Sequence, residues 1–252
     1  MGLTVDVDGA LWNCFRCGLA GAARTGKQSI TRTATPKRQQ AQPEHHETLS
    51  LQWSNYYDHL QRLPGTLGGA YLRSRGCVIP PADSALRFDP AAFHWPTQSK
   101  RPAIIALMTD FEDAGIRRSL HFTFLAVDGS GKAQIDRPKL LLAKHRKAGA
   151  VIRLWPDEGV TDGLALAEGI ESALSAAHIF TPIWATGDAG NMGGLIVLDG
   201  IGALTVFADH DEAGLNAAHE LAHRWRQAGR VVDVLRPRTP GADANDSLKA
   251  AA

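Results

Sequence analysis

The rhythm of apolar positions changes along the chain. Over residues 49–60 and 69–75 they recur at helical spacing, and the second segment stops at Gly76, a residue suited to the position just past a helix. Residues 103–109, 118–128 and 151–154 are dense in β-prone side chains and read as strands, with Gly129-Ser130-Gly131 turning the chain after the second. This stretch predicts an α+β arrangement with an antiparallel sheet. From Thr161 the texture becomes short apolar runs alternating with helical stretches. Residues 164–168, 182–186, 203–208 and 231–235 read as strands, and 170–179, 190–195 and 212–228 as helices. Runs that are apolar throughout fit strands buried on both faces of a parallel sheet. Four of them with helical crossovers predict a compact, doubly wound α/β unit with right-handed connections.

The beginning of the chain is different. Residues 3–7 and 11–15 flank Asp8-Gly9, a hairpin signal, and lead into Cys14-Phe15-Arg16-Cys17-Gly18. Residues 24–47 are polar and basic, rich in Gln, Pro and Thr, and read as a flexible linker. The expected organisation is therefore a hairpin element over 1–23, a basic linker over 24–48, an α+β domain over 49–158 and an α/β domain over 159–252.

Composition adds little until charge is mapped onto position. The 252 residues are 44% hydrophobic and 21% charged, as in a soluble protein of one or two domains, and the net charge of +1 selects no partner. The distribution does. No acid lies between Asp8 and Glu44 or between Asp136 and Asp157, and the second gap holds Arg137, Lys139, Lys144, Arg146, Lys147 and Arg153. Acids concentrate after Glu158. A basic front and an acidic back suit an enzyme that handles a polyanion. Three cysteines make no disulfide framework, no secretory signal opens the sequence, and no apolar run approaches membrane-spanning length, so a cytoplasmic location is expected.

The acids carry the chemistry. Glu168 closes one apolar run, and Asp209-His210-Asp211 follows another, Leu204-Thr205-Val206-Phe207-Ala208. Ligands of open α/β sheets bind outside the carboxyl ends of the strands. Two strands delivering carboxylates to one edge suggest a divalent-metal site and, through it, phosphate chemistry, because Mg²⁺ takes one or two carboxylates plus water and phosphate oxygens. Taken alone, Asp211 has a second explanation as N-cap of the helix beginning at Glu212. Asp243-Ala244-Asn245-Asp246 is a third acidic cluster, within a turn-like Pro-Gly context.

The string Leu166-Ala167-Glu168-Gly169-Ile170-Glu171-Ser172-Ala173, followed by Phe207-Ala208-Asp209-His210-Asp211-Glu212-Ala213-Gly214, resembles the Toprim domain of bacterial-type primases, topoisomerases and some nucleases. That family places a Glu after the first strand and Asp-x-Asp after the third. Gly241-Ala242-Asp243-Ala244-Asn245-Asp246 resembles the Asp-x-Asn-Asp/Glu tail of primases linked to replicative helicases. The stretch from Lys139 to Leu154 is similar to the primase-like segment that precedes Toprim in phage, plasmid and integrated-element proteins. The resemblance implies Asp209 and Asp211 as Mg²⁺ (or Mn²⁺) ligands, Glu168 as ligand or general acid/base, and Asp243 and Asp246 as supporting acids. It implies primer synthesis from nucleoside triphosphates on single-stranded DNA, with the six basic residues of 137–153 contacting phosphates and a replicative helicase as a partner. A Toprim nuclease and a non-catalytic nucleic-acid-binding remnant remain the alternatives.

Three other signals compete. His219-Glu220-Leu221-Ala222-His223 has the H-E-x-x-H form of zinc proteases, but no His or Glu follows His223 to supply a third ligand. Leu215, Ala218, Ala222 and Trp225 instead mark one face of that helix as core. Cys14-x-x-Cys17 resembles the second knuckle of a primase zinc ribbon; with the first knuckle missing it looks like half a ribbon, and zinc is not expected to be held by this chain alone. A topoisomerase needs a nucleophilic tyrosine, and Tyr56, Tyr57 and Tyr71 all precede the Toprim-like part.

Overall fold

The computed structural model describes residues 2–6, 9–13, 20–24, 46–242 and 245. Two compact units divide the chain, one over 1–44 and one over 45–252. The first contains an antiparallel three-stranded sheet, β1 (Gly2–Asp6), β2 (Gly9–Asn13) and β3 (Ala20–Arg24), in that order. The hairpin expected from Asp8-Gly9 is there, with Asp6 opposite Gly9. The third strand was not apparent from its Ala/Gly composition. Cys14 and Cys17 lie outside the described residues, as does most of the expected linker.

The second unit runs α1 (Leu51–Asp58), β4 (Gln61–Arg62), α2 (Leu67–Ser74), β5 (Leu86–His94), β6 (Ser99–Asp110), β7 (Arg117–Phe124), β8 (Lys139–Leu141) and β9 (Ala150–Arg153). A 3₁₀ turn, Asp157–Gly159, leads into β10 (Gly163–Ala167), α3 (Ile170–Ala176), β11 (Ile183–Ala185), α4 (Ala189–Gly194), β12 (Ala203–Phe207), α5 (Glu212–Gln227) and β13 (Val231–Leu235). All ten strands of this unit belong to one sheet, in the order β13-β12-β10-β11-β9-β6-β5-β4, with β7 on the other side of β6 and β8 beyond it. The parallel part, β13-β12-β10-β11, is the doubly wound unit the sequence predicts. The antiparallel part is the predicted α+β region. β9 joins them by pairing antiparallel with both β6 and β11, Arg153 standing opposite Trp184 and Ile152 opposite Ala185.

β6 is the keel of this sheet. It is buried from Pro102 to Thr109, with Ile104, Ala106 and Met108 in the core beneath α2 and α3. Its alternate residues Ala103, Ile105 and Leu107 share a second core with Leu120, Phe122 and Phe124 of β7 and Tyr57 of α1. That period-two alternation fixes which residues of the neighbouring strands face α2 and α3. A third core lies on the opposite face of the parallel strands, where Leu166, Val206 and Val232 meet Ala218, Leu221, Ala222 and Trp225 of α5. The predicted apolar stripe of α5 is therefore its buried face. Gly76 takes the left-handed conformation (φ 73°) expected of the residue past α2. Among the described residues no helix is long and apolar enough to cross a membrane.

Candidate active site at the carboxyl edge of the parallel strands

Glu168 is the first residue beyond β10, and its backbone is fixed by the neighbouring strand end: Gly187 N–H donates to the Glu168 carbonyl (2.8 Å) and Thr186 N–H to that of Ala167 (2.9 Å). Asp209 and Asp211 lie beyond β12, the strand on the other side of β10. Asp211 caps α5, accepting from Gly214 N–H (2.8 Å). The capping and site explanations for Asp211 are thus compatible, since one oxygen caps and the other is left over. Gly214 is required here for a steric reason: a Cβ at that position would stand 2.9 Å from the Asp209 carbonyl oxygen.

Three carboxylates at this edge act on the fourth, Glu168. Burial first, and then the charges of Asp209, Asp211 and Asp188, push the Glu168 carboxyl up from 4.5 to about 7, with Lys139 acting in the opposite sense. Asp188 was not among the residues singled out from the sequence. It follows β11 as Glu168 follows β10, and caps α4 through Asn191 N–H (2.9 Å). Its other oxygen is paired with Lys147 Nζ (2.7 Å). Asn191 reinforces this junction, accepting from Gly149 N–H (3.2 Å) and donating to the Thr186 carbonyl (3.1 Å). The glycines around 187–194 thus serve turns and packing: Gly187 has a positive φ, and Gly193 lies against Ala217 of α5.

The segment preceding the third acidic cluster is bound to the same loop through its backbone. Gly241 N–H donates to the His210 carbonyl (2.8 Å) and His210 N–H to that of Ala242 (3.0 Å), so the chain entering Asp243 is pinned to the residue between the two aspartates. Asp243 and Asp246 themselves lie outside the described residues. Asn245 is buried and donates to the Arg75 carbonyl (2.9 Å) and to Ser175 Oγ (2.7 Å), which ties the tail to α2 and α3.

Glu171, in the first turn of α3, is a second acid that the sequence reading passed over. It accepts from the Tyr71 hydroxyl (2.8 Å) and pairs with Lys132 (2.8 Å) and Arg75 (3.2 Å). Burial opposes its ionisation, but the Lys132 bond and charge outweigh that and hold its carboxyl below the usual range. This network locks α3, and with it the backbone after Glu168, to α2 and to the segment before β8.

The six basic residues expected to face phosphate do not form one surface. Lys139, exposed on β8, stands on the side of the sheet that faces α3 and acts electrostatically on Glu168 and Glu171. His121 shares that face; burial of its ring, with Lys139 and Lys132 nearby, pushes its pKa down to about 4 and keeps it neutral. Lys147 reaches Asp188, Arg146 pairs with Glu47 (2.7 Å), and Arg137 and Lys144 are exposed on the flanking loops. Arg153 departs from the expectation. It is buried, donating to Asp157 (2.6 Å), Thr109 Oγ1 (2.5 Å) and the carbonyls of Asp110 (2.7 Å) and Phe111 (3.0 Å), with its guanidinium 4.5 Å from the Trp184 ring centre. It is a fastener of the β6–β9–β11 junction. Arg153→Ala is expected to cost about 3 kcal/mol or more in urea unfolding, and Arg153→Lys to restore little, because one ammonium cannot serve acceptors spread around a planar fork.

Among the described residues, no three His, Cys, Asp or Glu side chains stand close enough together to enclose a metal ion. The donor set at the carboxyl edge is nevertheless of the right kind for Mg²⁺: all oxygen, carrying excess negative charge that Glu168 registers, and open to water and phosphate as further ligands.

A doubly wound unit with Glu after one strand and Asp-x-Asp after the adjacent one is the Toprim arrangement, and residues 163–252 match the model of the Toprim domain. Residues 48–154 match a domain of unknown function, DUF7146. The chain thus carries a Toprim domain over its C-terminal third, and its fold is primase-like. Its structure is similar to the DnaG catalytic core (TM-score 0.53, 16% identity, covering 79% of this chain and 74% of that one). Further similar structures are a DNA primase domain from Pseudomonas aeruginosa (TM-score 0.49, 15% identity, 78% and 73% covered) and the primase fragment of the bacteriophage T7 primase-helicase protein (TM-score 0.46, 16% identity, 96% and 86% covered). No curated protein matches the sequence.

Proposed function

We propose that this protein is a primase-type nucleotidyltransferase, joining ribonucleotides on a single-stranded DNA template with Mg²⁺ or Mn²⁺. The observation that carries this reading is the set of carboxylates at one sheet edge, Glu168, Asp209 and Asp211, with the positive charge of Lys139 acting on Glu168. A divalent ion held by Asp209 and Asp211, with Asp243 in support, supplies charge neutralisation at the transferred phosphate. Glu168, as a ligand or as the group that moves a proton from the attacking hydroxyl, has a pKa suited to either duty near neutrality. Lys139 then contacts a phosphate of template or triphosphate, with Arg137, Lys144, Arg146 and Lys147 along the path of the strand. A cytoplasmic setting, a replicative helicase partner and the replication of a phage or other mobile element belong to the same reading.

The test is incubation with single-stranded DNA, labelled ribonucleotides and Mg²⁺, followed by gel separation. Labelled primers are expected; shortening of the DNA without primer formation would replace this reading with a Toprim nuclease. Lys139→Ala is expected to weaken nucleotide or template binding about tenfold and to reduce the slope of log affinity against log salt by about one, as for loss of one phosphate contact.

A further inference from the structure

Outside the acidic edge, one pair of side chains has an arrangement that neither packing nor the proposed reaction uses. His46, at the start of the second unit, forms a parallel bridge with His145, in the loop between β8 and β9. The bridge is held by His46 N–H to the Lys144 carbonyl (2.8 Å) and by Arg146 N–H to the His46 carbonyl (3.0 Å). Residues opposite each other in such a bridge point to the same side. The two imidazole rings lie with centroids 5.0 Å apart and planes inclined by 36°.

The tautomer of His145 is set by its surroundings. Its Nδ1 lies 2.9 Å from the Ala143 carbonyl, which can only accept, so Nδ1 bears the hydrogen and Nε2 presents a lone pair. That Nε2 is buried and has no hydrogen-bond partner among the described residues. An orphaned buried acceptor destabilises the fold unless something donates to it or coordinates through it. An imidazole whose far nitrogen is anchored on a backbone carbonyl is the usual arrangement of a metal-binding histidine. The spacing agrees as well. Zn–N bonds of about 2.0–2.1 Å at a tetrahedral angle place two imidazole centroids roughly 5 Å apart.

We propose that His46 and His145 are two protein ligands of a zinc-class divalent-ion site that clamps the chain entering the second unit onto the β8–β9 loop. Imidazole pairs suit Zn²⁺, Cu²⁺ and Ni²⁺ and disfavour Mg²⁺, so this site and the carboxylate edge are separable by metal type. Two of the nearby cations are offset by acids, Arg146 by Glu47 and Arg118 by Asp110 (2.6 Å) and Glu47 (3.9 Å), while Lys144 beside His145 is exposed to solvent, which screens its charge. The other histidine pair, His219 and His223 of α5, is exposed, and neither ring is anchored on a carbonyl among the described residues.

The experiment is a Zn²⁺ titration of the full, chelator-treated chain by calorimetry in excess Mg²⁺, with thermal melts at one equivalent. The wild type should take up one equivalent and melt at higher temperature with it. His46→Ala, an exposed position where folding is not in question, should weaken that uptake at least tenfold and remove the rise in melting temperature. His145→Gln, checked for fold by circular dichroism, should do the same. The proposal is overturned if the wild type binds no Zn²⁺, or if uptake survives both substitutions. It is equally overturned if uptake is instead lost in Cys14→Ser/Cys17→Ser or His219→Ala/His223→Ala. Primer synthesis is not a readout here, so failure of this proposal and failure of the polymerase reading are distinguishable.

Discussion

Replacing Asp209 and Asp211 together by Asn is expected to abolish primer synthesis while leaving the protein folded. Asn caps a helix as well as Asp does, so the bond from Gly214 N–H to residue 211 survives the change. The close approach of Gly214 to the Asp209 carbonyl involves backbone and is equally unaffected. What is lost is two negative charges where a divalent ion would sit. Metal stabilisation of a transferred phosphate is worth several kcal/mol, and each 1.36 kcal/mol is tenfold, so synthesis should fall by on the order of a thousandfold or more. Labelled-primer yield together with a melting curve checks both halves of the expectation. An undiminished yield would remove these carboxylates from the chemistry, and a chain with no activity in either form would be a nucleic-acid-binding remnant.

The second large effect concerns protons and metal at Glu168. Its carboxyl is raised to about 7 by burial and by three neighbouring carboxylates, so the folded state disfavours its ionised form. The sign follows from linkage. The contribution of this group to stability is greatest below its unfolded value of 4.5 and is lost as pH rises from there through about 7. In the absence of metal, Glu168→Gln should therefore melt above the wild type at pH 8, and the two should converge at pH 4.5. Mg²⁺ should raise the wild type at pH 8 and do less for the variant, because ion and proton compete for the same acidic edge. Melting curves at both pH values, with chelator and with Mg²⁺, measure this. A pH-independent gap would mean that neither burial nor the neighbouring acids disfavour the ionised Glu168.

Much of this architecture is visible in the order of residues, for reasons that differ by element. β10, β11 and β12 were legible because a strand covered on both faces is apolar throughout. α5 was legible because its core stripe recurs at helical spacing. β5 was not read as a strand, since Pro90 and the register shift between Asp89 and Ala92 break its alternation. The joining of the two sheets could not be read, because the β9–β11 seam consists of two residue pairs between strands of four and three residues. At the site, Glu168, Asp209 and Asp211 stood out because each follows an apolar run. Asp188 follows one too, but Gly187 between them made the segment look like an ordinary turn. Arg153 was grouped with its basic neighbours by proximity in sequence. Its place inside Val151-Ile152-Arg153-Leu154, a strand without a polar face, was the sign that it points into protein.

The shared strand β9 also limits how the strands that carry Lys139 and Glu168 can move against each other. A hinge needs a segment across which few bonds pass, and the link between the antiparallel and parallel strands is instead stitched by sheet pairing, by the inward-facing Arg153, and by the grip of Tyr71, Arg75 and Lys132 on Glu171. The strands that carry Lys139 and Glu168 are therefore parts of one continuous sheet. Adjustment near the acidic edge is left to side chains, with opening of the Lys147–Asp188 ion pair as its smallest step.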